Sequence, residues 1–204
     1  MSGRLVYVVG PSGVGKDSLL AWLVQHWPSA VGSPRLHLAR RTITREPSQN
    51  GEIHESTDPN EFAQLQAAGA LAMDWVAHGL HYGIRATELA PLASGTCVLV
   101  NGSREALPQV AQRYPHVVVL HITASSHTLQ ARLQSRQRES MADVQRRMVR
   151  APDLAVLTCL PCVEVVNDGT FESACGQMLT ALQVLLAMRP LNGGPSASAV
   201  GLGG

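Results

Sequence analysis

The sequence predicts an α/β fold, a mostly parallel sheet covered by helices on both faces. Three observations carry this. A glycine-rich run joins an apolar strand to an amphipathic helix near the N-terminus. Short apolar runs then alternate with helical patterns along the chain, which is how parallel strands with crossover helices read. Two polar, arginine-rich stretches interrupt the rhythm, as insertions that handle a substrate do.

Leu5-Val6-Tyr7-Val8-Val9 is continuously apolar, which suits a strand buried on both faces. Gly10-Pro11-Ser12-Gly13-Val14-Gly15 is turn material, and Leu19, Leu20, Leu23 and Val24 recur at helical spacing until Pro28 stops the helix. Further strands are expected at Cys97–Val100, Val117–Ile122 and Val163–Val166. Helical patterns lie at Glu61–Ala68, Arg104–Arg113, Ser126–Arg136, Met141–Arg150 and Phe171–Met188. From about 35 to 82 the chain is polar and weakly periodic, and six arginines fall between Arg132 and Arg150. The segment 189–204, dominated by Gly, Ser, Pro and Ala, reads as a disordered tail beyond a domain spanning 1–188.

The 204 residues suit one α/β domain with inserted parts. A net charge of +1 and a pI near 7.8 give no electrostatic reason to expect a nucleic acid or a membrane as partner. The strand-like run starts after four residues and no apolar stretch is long enough to cross a bilayer, so a cytoplasmic location is expected. Cys159 and Cys162 form a C-x-x-C, but no second pair stands at zinc-ligand spacing. The four cysteines are read as reduced residues in or near the core. The oligomeric state is open, a homodimer among the options.

Gly10-Pro11-Ser12-Gly13-Val14-Gly15-Lys16 matches the first seven positions of G-x-x-x-x-G-K-[ST]. Glycines let the chain wrap so that backbone N–H groups converge on phosphate oxygens, and the next helix adds the positive end of its dipole. Lys16 then reaches the β- and γ-phosphates of ATP. Lysine plus arginine total 16, of which fifteen are arginine, and the sole lysine is Lys16. Arginine's wide planar fork does not replace a compact ammonium in so tight a loop. Asp17, followed by Ser18, stands where a Ser or Thr hydroxyl normally meets Mg2+. A carboxylate beside a triphosphate repels it unless a divalent cation intervenes, so Asp17 is expected to help hold Mg2+. Its alternative role is to favour the first turn of the helix.

With G-P-S-G-V-G-K-D-S-L-L at 10–20, R-R-T-I-T-R at 40–45, A-H-G-L-H-Y-G-I at 77–84, V-L-V-N-G-S-R at 98–104 and V-N-D-G at 166–169, the chain resembles the guanylate kinase family of nucleoside-monophosphate kinases. The likeness runs from about Arg4 to Ala187. It implies a three-layer P-loop NTPase fold with a five-stranded parallel sheet, a substrate region at about 35–96 and a lid at about 132–150. Within the family the chain looks most like the branch that phosphorylates ribose 1,5-bisphosphate in phosphonate catabolism. The implied reaction is ATP plus ribose 1,5-bisphosphate giving ADP and 5-phospho-α-D-ribosyl 1-diphosphate.

The resemblance assigns residues. Guanylate kinases hold the acceptor phosphate with T-T-R-x-P-R and a tyrosine in G-x-Y-Y-G, to which Arg45 and Tyr82 correspond. The second arginine has become Ser48, with Arg40 and Arg41 just upstream. The tyrosine after the G-E step is His54, and the guanine-reading acid has no clear match in Leu71-Ala72-Met73-Asp74. Arg41, Arg45, Glu52, His78 and Tyr82 are the implied substrate-binding residues, in a cluster with His54 and His81. Arg136 and Arg147 fall on the lid arginines that clamp the transferring phosphoryl group, with Arg132 nearby at the ATP site. Asn167 falls near the adenine, where its backbone or amide is placed to read the base. The family's acidic pair is replaced by Asn101 and Ser103, which reads as a metal ligand relocated to Asp17. The rivals are a guanylate kinase acting on GMP and a non-catalytic interaction domain of the same fold. The latter tends to lose the loop lysine and lid arginines that this chain keeps.

Overall fold

Leu5–Val9 forms β1, and all five residues are buried. A continuously apolar strand has to be covered on both faces, so it takes the centre of the sheet. The computed structural model describes residues 3–28, 33–46, 54–135, 157 and 159–188. The expected helix at Met141–Arg150, the lid beyond Ser135 and the tail at 189–204 lie outside the described residues, as do Ser48, Glu52, Arg136 and Arg147.

β1 is flanked by β7 (Cys97–Asn101) and β8 (Val118–Thr123), with β2 (Leu36–Leu38) and β9 (Cys162–Val166) outside them. The order β2-β7-β1-β8-β9 is parallel throughout. Alternation sends Val6 and Val8 to one apolar cluster, shared with Leu19, Leu20 and Leu23 of α1 (Lys16–His26) and Met178, Leu182 and Leu185 of α6 (Phe171–Ala187). Leu5, Tyr7 and Val9 face the other way, against Leu107 and Val110 of α4 (Leu107–Arg113) and against Met73 and Ile84 of a second sheet. α5 (Ser126–Ser135) follows β8. Local chemistry sets the helix ends. α1 stops at Trp27, held extended before Pro28, and Thr170 caps α6 through a bond from the Ser173 N–H.

The second sheet was not expected as such. It has the order β4-β3-β6-β5, formed by β3 (Arg41–Ile43), β4 (His54–Ser56), β5 (Leu71–Ala77) and β6 (Leu80–Arg85). Two of these strands have three residues, too few to show alternation. β2, also three residues long, falls in the stretch read as substrate region but belongs to the main sheet, pairing Leu36 with Cys97. The chain therefore enters the second sheet only after Leu38. Asp58 caps α2 (Pro59–Ala67) through bonds from the Asn60 and Glu61 N–H groups at 2.8 and 2.9 Å, and α3 (Ala86–Leu89) leads back towards β7. β5 and β6 are joined by the two-residue turn His78-Gly79, both at positive φ (54° and 74°), the handedness that matches strand twist.

All four cysteines are free. Cys97 and Cys175 are buried and Cys162 half-buried, while Cys159 is exposed rather than in the core. Among the described residues no helix is long and apolar enough to cross a membrane.

Candidate active site

β1 delivers the phosphate loop to the carboxyl edge of the sheet, where parallel α/β folds bind ligands. The loop is packed too closely for side chains at two glycines. A Cβ on Gly10 would lie 2.2 Å from the Ile122 carbonyl oxygen. At Gly15, φ is +95° and a Cβ would meet the Asn167 amide nitrogen at 2.9 Å. Val14 is fully buried, Ser12 and Gly13 shape the turn, and Ser18 is exposed on the first turn of α1. The Lys16 ammonium donates to the carbonyls of Gly10 (2.7 Å) and Pro11 (3.0 Å), so the amine is folded over its own loop. Burial lowers its pKa to about 8, against the attraction of Asp17 and helped by the nearby charges of Arg41 and Arg104.

Asn167 packs against the phosphate loop. Its amide donates 2.7 Å to the Val14 carbonyl, its own N–H donates to the Thr123 carbonyl at 2.8 Å, and the side chain is buried. Its amide nitrogen therefore braces the phosphate loop. Arg132 joins the same brace, donating to the Val14 carbonyl at 3.4 Å and to the Asn167 side-chain oxygen at 3.5 Å.

Asp17 accepts two hydrogen bonds on one oxygen, Oδ1: from the Arg41 guanidinium at 2.7 Å and from the Asn101 amide at 2.7 Å. Asn101 is buried, and its own side-chain oxygen has no hydrogen-bond partner among the described residues. Arg41 comes from the second sheet, whose register decides what faces the loop. Directly paired residues share a face. Arg41 pairs with His54 and Ile84, Ile43 with Tyr82, Tyr82 with Trp75, and Ile84 with Met73. Met73, Ile84 and Trp75 pack with Tyr7, Val9 and Val100, so this face is turned to the main sheet and carries Arg41, His54 and Tyr82 with it. Trp75 lies parallel to Tyr82, ring centroids 5.6 Å apart. Arg45 sits half-buried two residues past β3.

The opposite face takes His81 from the expected cluster. His81 lies against Phe62 of α2 at 5.3 Å, and Asp74 accepts from Gln66 at 2.8 Å. His78 is at the hairpin tip. The register thus brings Arg41, His54 and Tyr82 together and takes His81 away. Glu55 and Arg85 brace the sheet through a paired contact of 2.7 and 2.6 Å, with Thr42 donating to the same carboxylate at 2.9 Å.

Two groups were missed. Arg104, after β7, and His121, on β8, both belong to the electrostatic surroundings of the loop: Arg104 acts on Lys16, and Lys16 and Arg104 act on His121. Burial lowers the pKa of His121 while Glu164, its partner across β8 and β9, opposes the change. A polar residue inside the apolar strand Val118–Thr123 was the available signal for His121. Arg104 ends a recognised motif but had been given no role.

A phosphate loop with a half-buried lysine at the carboxyl edge of a parallel sheet, facing an arginine-bearing second sheet, defines a nucleotide-binding P-loop kinase. Residues 5–152 match the AAA domain family model. The chain is 42% identical to ribose 1,5-bisphosphate phosphokinase PhnN of Burkholderia mallei, over 88% of this chain and 94% of that one. It is 41% identical to the PhnN ribose 1,5-bisphosphate phosphokinase of Janthinobacterium, over 89% of its own length but only 39% of that protein's. The chain belongs to the ribose 1,5-bisphosphate phosphokinase family. Its fold is that of the guanylate kinase from Anaplasma phagocytophilum (TM-score 0.64, 17% identity, 90% and 86% of the two chains covered).

Proposed function

We propose that this chain transfers the γ-phosphoryl group of ATP to the 1-phosphate of ribose 1,5-bisphosphate, giving ADP and 5-phospho-α-D-ribosyl 1-diphosphate, in phosphonate catabolism. One observation supports this acceptor over a nucleoside monophosphate. The face of the second sheet turned to Lys16 carries Arg41, His54 and Tyr82, whereas Asp74, the carboxylate of β5, is turned to the opposite face on Gln66. With Asp74 turned away, β5 offers that face no acid for the donor edge of guanine, and losing such a partner is heavily selective. Cations and hydroxyls suit a sugar bearing two phosphates.

A phosphate acceptor is already anionic, so the reaction needs alignment and charge neutralisation more than a general base. Lys16 carries charge on the β- and γ-phosphates, and the N–H groups of Gly10–Ser18 cradle them. Arg132 and Asn167 brace the loop. Arg41, Arg45 and Tyr82 hold the acceptor, with Glu52 and His78 in supporting places. Arg136 and Arg147 close from the lid, excluding water. Asp17 and the side-chain oxygen of Asn101 suit Mg2+, which ordinarily takes one or two protein oxygens and completes its shell with water and phosphate. Among the described residues no cluster of three His, Cys, Asp or Glu offers a fuller protein cage. The ion, when bound, neutralises charge on the phosphates.

A coupled assay with ribose 1,5-bisphosphate beside GMP tests the reading. The sugar bisphosphate should be preferred by at least about 100-fold in kcat/KM; equal or better turnover of GMP would overturn it.

A further inference from the structure

Arg104 stands three residues beyond the end of β7, whose last residue, Asn101, lies beside Val8 of β1. The intervening loop is clamped. The Gly102 N–H donates to the Val8 carbonyl at 2.9 Å. The buried Tyr7 hydroxyl accepts from the Ser103 N–H at 3.1 Å and donates to the Ser103 carbonyl at 3.2 Å. A Cβ on Gly102 would fall 2.0 Å from the Tyr7 ring, so the loop lies flat on it. Arg104 therefore starts from a fixed base at the carboxyl edge of the sheet, next to the strand that leads into the phosphate loop.

Its charge is felt by Lys16 and by His121, and it is half-buried. Desolvation, the larger influence on it, is opposed among the described residues by the charge of its exposed neighbour Glu105. Yet its guanidinium makes no hydrogen bond or ion pair among the described residues. Arg41, which also acts on Lys16, is by contrast bonded to Asp17. Three cations, Lys16, Arg41 and Arg104, thus gather where Asp17, the carboxylate that acts on Lys16, is already shared by Arg41 and Asn101, and where Glu105, which acts on Arg104, is exposed. A partly desolvated guanidinium with its donors unspent, placed among like charges, is unfavourable without an anion. A phosphate matches its planar fork.

We propose that Arg104 is a phosphate ligand of the transfer site, holding the acceptor's reacting phosphate against the mouth of the phosphate loop. The identity of that acceptor rests on the function proposed above; the binding of a phosphate does not. Arg104 and Arg41 then approach the reacting phosphate from two sides, one from the main sheet and one from the second sheet. Each neutralises charge that would otherwise keep two phosphates apart.

The test uses the full chain and the variants Arg104→Met and Arg104→Lys. Arg104→Met should raise KM for ribose 1,5-bisphosphate about tenfold and lower kcat/KM about 100-fold, with KM for ATP within about threefold of the parent. Inorganic phosphate titrated calorimetrically into the ADP complex should bind about tenfold more weakly to Arg104→Met, with Arg104→Lys in between. The Tm of Arg104→Met should be unchanged or higher, because a cation is removed from beside Lys16. Phosphate binding that is the same in variant and parent, including none in either, would overturn the proposal, as would a lowered Tm accompanied by lost ADP affinity. Should the parent bind phosphate but fail to phosphorylate ribose 1,5-bisphosphate, the function falls while the titration still decides the role of Arg104.

Discussion

Arg41 reaches out of the second sheet to donate a 2.7 Å hydrogen bond to Asp17, the residue directly after the phosphate-loop lysine. One ion pair thereby links the surface assigned to the acceptor with the loop assigned to the donor. The Arg41 side chain is 14% exposed and that of Asp17 56%, so the arginine is committed while the carboxylate still meets solvent on one side. An acid at this point can serve a cation in the cleft and keep Arg41 in register together.

Asp17 and Asn101 should therefore respond unequally to substitution. Asp17→Asn is expected to raise the Mg2+ concentration needed for half-maximal turnover by about tenfold or more and to lower kcat/KM about 100-fold. Asn101→Ala should cost less, because it removes one donor to Asp17 and an oxygen that has no partner among the described residues. Mg2+ titrations of both variants check this; equal, mild effects would remove the metal role from Asp17.

The pH behaviour of Lys16 provides a separate test. Its folded pKa, about 8, lies below its ordinary 10.5, so between these values the unfolded chain holds a proton that the folded chain has released. Stability from this group should rise as pH increases from about 8 to 10.5. Urea midpoints of the parent and Lys16→Met across that window should show the rise in the parent alone. Bound phosphate favours the charged amine, so ADP affinity should decline as pH passes above about 8. Turnover in Lys16→Met should fall by about 10² to 10³, and arginine should not restore it.

Gly15 and Asn167 form a matched contact. Gly15→Ala places a methyl against the Asn167 amide at a left-handed φ of +95°, and should destabilise the loop by about 1–2 kcal/mol while weakening ADP binding at least tenfold. Asn167→Ala removes the brace on Val14 and should also weaken ADP binding, with unchanged discrimination between ADP and GDP if its role is to hold the loop. Calorimetry with both nucleotides decides the point.

Glu55 tests the stability of the second sheet. The Arg85 hydrogen bond, chiefly, lowers its pKa. Its contribution is present above the ordinary 4.5 and lost as pH falls through the depressed folded value. Glu55→Gln should cost about 1–3 kcal/mol at neutral pH and flatten the acid limb of a Tm-against-pH curve. It should also raise KM for the acceptor more than for ATP, since Glu55 pairs Thr42, next to Arg41, with β6.

Much of the main sheet was legible because its signals are contiguous. Leu5–Val9 is apolar at every position and buried at every position, and the run from Gly10 to Lys16 carries its chemistry in seven neighbouring residues. β2 was not legible: its three residues are all half-buried, and only pairing with β7 makes them a strand. The histidines were equally opaque, since His54 and His81 differ only in which face the register gives them. The brace from Asn167 to Val14 closes 153 positions of chain, and the charge of Arg104 acts on Lys16 only because β7 runs beside β1. The sequence by itself determined the strand, the turn and the cation of the phosphate loop, because neighbouring residues set backbone conformation and local charge. Which side chains surround that cation was decided by tertiary structure alone, because strand register and sheet order bring together groups with no adjacency in the chain.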